Sequence, residues 1–182
     1  MIELPLLTTI LIDSAAWLVL HLGLAWAVTQ LPASAFSPRG WLFRERGWER
    51  GGALYERLFR VHRWKRLLPD GAALFRRGFR KKRLLSRDPA YLARFRVETC
   101  RGELAHWLVL ASAPLFFLWN PPRVGLLMIG YAVLASLPFI VAQRYNRCRL
   151  SRLLRDPTVA GGPTPAMLGA CRSDQPRPSS SS

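Results

Sequence analysis

The chain has 182 residues, half of them hydrophobic, and carries a formal net charge of +16. Its length suits one domain. A soluble domain with that charge points to nucleic acid, but here apolar and basic residues occupy separate stretches, which points to a membrane protein with no nucleic-acid partner. Cys100, Cys148 and Cys171 match no metal spacing, and an odd number makes no disulfide framework, so they read as reduced thiols.

The first element is a membrane span within residues 1–38. A bilayer core of ~30 Å needs about 20 apolar residues in a helix. Residues 5–31 contain no Lys or Arg, and Asp13 and His21 are their only ionisable side chains. Asp13, Trp17 and His21 share one helical face. The triplet Ala33-Ser34-Ala35 resembles a signal-peptide cleavage site. Yet no basic residue precedes Arg39 and the apolar run is too long, so the segment reads as an uncleaved signal anchor.

Residues 39–102 form a basic segment. Leu54, Leu58, Val61, Lys65 and Leu68 recur at helical spacing beside Trp64, the pattern of an amphipathic helix lying on anionic lipid, although the basic residues equally suit a role that only sets topology. The run Arg76–Arg83, RRGFRKKR, adds attraction of about 1 kcal/mol per basic residue near such a surface. Asp70 lies in the Pro-Asp-Gly turn that closes WKRLLPDG, residues 64–71.

Residues 103–155 predict a transmembrane hairpin with a basic end. Residues 104–119 are apolar apart from His106, and residues 124–142 are apolar throughout. NPPR, residues 120–123, is the turn between them, because proline lacks an N–H. The earlier span is short and needs Glu103 or preceding residues to reach across a bilayer. Residues 156–182, rich in Pro, Gly and Ser, predict a disordered tail. The fold class is therefore an all-α integral membrane protein, with about three transmembrane helices and the basic amphipathic segment between the first and second.

Charge sets the orientation. Nineteen of the 27 Lys and Arg residues lie between residues 39 and 101, seven lie after residue 142, and only Arg123 lies in the hairpin turn. The positive-inside rule puts the basic segment and the C-terminus in the cytoplasm and the N-terminus outside, as in a multi-pass protein of a bacterial cell membrane.

Two clusters carry the chemistry. ETCRGELAHW, residues 98–107, places Glu98 three residues from Arg101, and Glu103 three residues from His106. Side chains so spaced meet on a helix, and a Glu that orients a His suits a general base. The same residues also suit a plain capping and topology role, with Trp107 as an interfacial anchor. QRYNR, residues 143–147, follows the last apolar run, and the hairpin returns Arg144, Asn146 and Arg147 beside the first cluster. Arginine there snorkels to lipid phosphates or presents its planar fork to a phosphorylated ligand. A metal site of the di-carboxylate type requires a second E-x-x-H pair, which the sequence lacks.

WK…PDG at 64–71, ETCRGELAHW at 98–107 and QRYNRCRL at 143–150 together resemble the glycosyl-4,4′-diaponeurosporenoate acyltransferases, small bacterial membrane proteins of staphyloxanthin-type carotenoid biosynthesis. The resemblance covers roughly residues 40–155, with Cys148 standing where that pattern suggests Pro. It implies a transferase that esterifies a sugar hydroxyl of a carotenoid glycosyl ester with a fatty acyl group. The acyl donor, acyl-CoA or another thioester, is a co-substrate, and no cofactor or metal is implied. On that reading His106 and Glu103 are catalytic, while Arg144, Asn146, Arg147, Glu98, Arg101 and Asp70 line the substrate site. The alternative is a non-catalytic membrane scaffold that holds anionic lipid or other carotenoid-biosynthesis enzymes through the basic segment.

Overall fold

The computed structural model describes residues 5–65, 67–68 and 88–156. Among them every regular element is helical: α1 (Leu6–Gln30), α2 (Ala53–Phe59), α3 (Val61–Trp64), α4 (Pro89–Ser112) and α5 (Pro122–Arg155). Three 3-10 segments, Ala33–Ala35, Gly47–Gly52 and Ala113–Leu118, join them. Asp70, the basic run 76–83 and the tail from 157 lie outside the described residues.

α1 and α5 are each long and apolar enough to cross a membrane. Most of their apolar surface stays uncovered: Leu6, Leu7, Leu18 and Val19 on α1, and Leu126, Leu127 and Leu134 on α5, are exposed. An uncovered apolar band of this kind is stable against lipid and costly against water.

α4 starts at a proline at N1, with Asp88 as N-cap accepting a 2.8 Å bond from the Tyr91 N–H. Unlike α1 and α5 it has no stretch long and apolar enough by itself to cross a membrane, and it changes to 3-10 winding at Ala113. That winding rises faster per residue. From Gly102 to Leu118 the path extends about 28 Å, near the ~30 Å of a bilayer core. The hairpin turn occupies residues 119–121, since Pro122 already forms the first turn of α5. A Cβ on Gly125 would sit 2.5 Å from the Phe117 ring, so only glycine lets the 3-10 segment pack this closely on α5.

α4 and α5 run antiparallel. At one end Trp17 of α1 packs with Val109, Ala113, Phe116 and Ala132. The Asp13 carboxylate, also buried, accepts bonds from Trp119 Nε1 (2.8 Å) and Asn120 Nδ2 (2.9 Å), fastening α1 to the turn. At the other end Val28, Phe36 and Phe43 close over Cys100.

The basic segment differs from the single helix expected between Leu54 and Leu68. Arg60 adopts a positive φ of 46–47° seen also at Arg50, and it separates α2 from α3. Tyr55 and Val61, with Trp64 and Leu68, pack on Ala142, Tyr145 and Cys148 of α5. Leu58 and Phe59 point away and are exposed. The apolar stripe is thus divided between an internal face and an outer one. Gly52 (φ 93°) makes the sharp bend into α2, and its Cα lies so near α5 that an added Cβ would meet Cys148 Cβ at 3.2 Å.

Candidate functional site

The basic ends of α4 and α5 meet beneath the loop 42–55. Glu103, fully buried on α4, faces α5. Arg144 Nε donates to its Oε1 at 2.8 Å, Arg147 Nη1 lies 2.6 Å from its Oε2, and Trp107 Nε1 donates to Oε1 at 3.0 Å. The remaining arms of Arg144 reach the loop: Nη1 donates to Glu49 Oε1 at 2.9 Å and Nη2 to the Leu42 carbonyl at 2.8 Å. All three nitrogens of the Arg144 fork are therefore committed within the protein.

Glu49 is equally buried and sits where the 3-10 segment begins. The Arg46 N–H donates to its Oε2 at 2.6 Å, and the Tyr55 hydroxyl donates to its Oε1. Burial pushes the Glu49 carboxyl upward, but the Tyr55, Arg46 and Arg144 donors outweigh it and hold the group below its ordinary range. Burial, then the adjoining Glu49 carboxylate, pushes the Tyr55 hydroxyl up, so it stays a donor. Two carboxylates and two guanidinium groups thus balance one another out of water, the condition under which buried charge is tolerated.

Other expected site residues surround this network. Glu98 and Arg101 form the anticipated pair at 2.5 Å, and Arg101 Nη2 also donates to the Leu31 carbonyl at 2.8 Å, tying α4 to the end of α1. Asn146 Oδ1 accepts from Lys65 Nζ at 2.8 Å. The His106 ring, one turn beyond Glu103, stacks on Phe139 with centroids 4.4 Å apart and planes 16° apart. The structure therefore brings Glu103, Arg144 and Arg147 into contact and sets His106 and Asn146 beside them. Asp70 lies outside the described residues.

Sequence reasoning missed Glu49 and Tyr55. Glu49 stands among arginines and reads as a solvated charge. The available signal was Gly51-Gly52 beside it, a bend that carries the chain onto α5. Trp107, expected as an interfacial anchor, donates inward to Glu103. Among the described residues no group of three or more His, Cys, Asp or Glu is placed to hold a metal ion.

The arrangement offers a half-buried histidine one helical turn from a charge-balanced carboxylate–guanidinium network, at the point where apolar helices become basic. The model of the glycosyl-4,4′-diaponeurosporenoate acyltransferase family matches residues 38–156, which include every element of the site described here. Proteins of that name from Staphylococcus haemolyticus and Staphylococcus aureus are similar to this chain. The first is 34% identical over 140 residues, 77% of this chain and 81% of the relative. The second is 32% identical over 142 residues, 78% of this chain and 86% of the relative. No solved structure matches. On the matched region and these identities, the chain belongs to the glycosyl-4,4′-diaponeurosporenoate acyltransferase family.

Proposed function

We propose that this acyltransferase joins a fatty acyl group to the sugar hydroxyl of a carotenoid glycosyl ester, as the name of its relatives suggests. The observation that carries the reading is the Glu103–Arg144–Arg147 cluster one helical turn from His106, at the boundary between apolar and basic surface. A carotenoid chain is soluble among the exposed apolar side chains of α1 and α5, while its sugar reaches the polar boundary. An acyl thioester arrives from the basic side.

His106 accepts the proton of the sugar hydroxyl through its imidazole nitrogen. The sugar oxygen bonds to the acyl carbonyl carbon, and the carbon–sulfur bond breaks. The proton passes from His106 to the departing thiolate, which restores neutral imidazole. Arg144 and Arg147, each paired to a buried carboxylate, hold the ends of α4 and α5 together where negative charge develops on the carbonyl oxygen. Glu103, neutralised by both arginines, sets the relative position of α4 and α5 and thereby of His106. Glu98 with Arg101 holds α1 to α4, and Asn146 orders Lys65 beside the site. Asp70 remains assigned to the substrate side through the WK…PDG motif alone.

The protein crosses a bacterial cell membrane three times, with α4 and its 3-10 extension as the middle span. The N-terminus is outside, and the basic segment and C-terminus are cytoplasmic, in keeping with the charge distribution. Exposed Trp41, Trp48, Leu58 and Phe59 rest in the interface of an anionic leaflet. Family membership favours this catalytic role over a scaffold that only gathers other enzymes.

The test uses purified protein in nanodiscs with a glycosylated carotenoid and acyl-CoA. His106→Ala remains folded, with a small drop in melting temperature from the lost stacking on Phe139, and loses at least a hundredfold in turnover, the usual scale for a general base. Wild-type rates in that variant would remove His106 from catalysis. Absence of turnover in the wild-type protein would remove acyl-CoA as donor.

A further inference from the structure

A second polar feature lies further along α5 from Glu103. Between α2 and α5 opens a cavity of about 410 Å³ lined by Gly52, Ala53, Glu56, Arg57, Tyr145 and Arg152. Arg57 and Arg152 make no ion pair among the described residues, in contrast to Arg101, Arg144, Arg147 and Arg155, which do. Two further cations border the space. Lys65 Nζ lies 4.8 Å from the centre of the Tyr145 ring, and exposed Arg149 stands one turn before Arg152. The one carboxylate in the lining, Glu56, is engaged by His62 Nδ1, and the His62 N–H also donates to it at 3.2 Å. The cleft therefore has an excess of positive charge with apolar and aromatic walls.

Its position matters as much as its charge. Arg152 is eight residues beyond Arg144 on one unbroken helix, about 12 Å along the axis. Tyr145 links the two places, since it lines the cleft and directly follows Arg144. The guanidinium forks of Arg57 and Arg152 suit phosphate oxygens, whereas Arg144 has its fork filled.

We propose that the Arg57–Arg152 cleft binds the phosphate-bearing head of the acyl donor, so that the donor's acyl end extends along α5 toward His106. This rests on the acyltransferase reading for the donor's identity. The site itself is an anion site whether or not that reading holds. Two sources share the chemistry: the nucleotide head of an acyl-CoA and the head of a phospholipid donor.

The experiment measures ligand binding without turnover, on the full chain in nanodiscs of neutral phosphatidylcholine. Coenzyme A and pantetheine, which lacks the nucleotide phosphates, are titrated against tryptophan fluorescence. Phosphatidylglycerol is introduced into separate discs as the phospholipid arm. The paired substitution Arg57→Gln/Arg152→Gln is expected to weaken coenzyme A at least tenfold, with Arg57→Lys/Arg152→Lys restoring part of it. Arg123→Gln, at the opposite end of α5, leaves the affinity unchanged. Wild-type binding of coenzyme A falls with added pyrophosphate and exceeds that of pantetheine by at least tenfold. A tenfold loss for phosphatidylglycerol, with coenzyme A unaffected, assigns the same cleft to a phospholipid head. Unchanged affinity for both ligands in the Gln pair overturns the proposal, as does a wild-type protein whose coenzyme A binding pyrophosphate does not displace. If the Gln pair does not fold, the pyrophosphate competition decides. In turnover assays the pair raises KM for the donor and leaves kcat near wild type, whereas failure of the acyltransferase reading removes turnover from the wild type and leaves the binding results standing.

Discussion

Glu103 is cut off from solvent, and Arg144, Arg147 and Trp107 all turn toward its carboxylate. Removing one member of a buried ion network leaves its partners uncompensated, at a cost of about 3–5 kcal/mol. Glu103→Gln is therefore expected to lower the melting temperature in detergent well below that of His106→Ala. A Gln variant as stable as the wild type would mean that the two arginines are already solvated. Glu49 adds a pH dependence of defined sign. Its folded carboxyl sits below the ordinary value, so the unfolded chain binds the proton more readily and the stabilisation is complete above about pH 4.3. It is lost as acid carries the pH through the lower folded value. Melting temperature should fall in that acid range, and Glu49→Gln should show a shallower fall; identical acid limbs would deny Glu49 this role. Glu103 with Arg144 and Arg147 was legible in the sequence because a hairpin must return its ends to one place. Glu49 was not, since nothing local distinguishes a carboxylate solvated among arginines from one turned inward by a distant glycine bend.

At the scale of elements, α1 and α5 were legible as apolar runs of sufficient length, and so was the turn between α4 and α5. The 3-10 winding of Ala113–Leu118 was legible only in part: Pro114 in its first turn lacks the N–H that would continue the α-helix, but the packing of Phe117 on Gly125 across the hairpin has no local signal. The division of the basic segment at Arg60 was equally hidden: helical spacing runs through Leu54, Leu58, Val61 and Leu68, while the packing face turns at a backbone bend. Asp13 fastens α1 to the hairpin turn. Asp13→Ala leaves the Trp119 and Asn120 donors unsatisfied in a buried place, at about 1–3 kcal/mol for each such group. The expected result is a lower melting temperature, with Asp13→Asn keeping part of the loss in check through its remaining acceptor. Equal melting of Asp13→Ala and the wild type would show that Asp13 adds nothing to the docking of α1.

Among the described residues uncharged surface and charge occupy opposite ends, and the Glu103–Arg144–Arg147 cluster lies where they meet. Family membership and the convergence of two helix ends carry the functional reading, while the loop 42–55 explains how the convergence is held. α5 is a single rod of 34 residues, about 51 Å long, of which a bilayer core accommodates ~30 Å. Its helical path continues through Pro138 to Arg155. Depth and rotation are consequently geared together: each residue added to the apolar run shifts Arg144 and Arg147 by ~1.5 Å and turns them by roughly 100°. A run longer or shorter by one or two residues swings both arginines off Glu103. A thicker or thinner membrane is therefore met by tilting the bundle or by changes close to whole helical turns, about seven residues at a step.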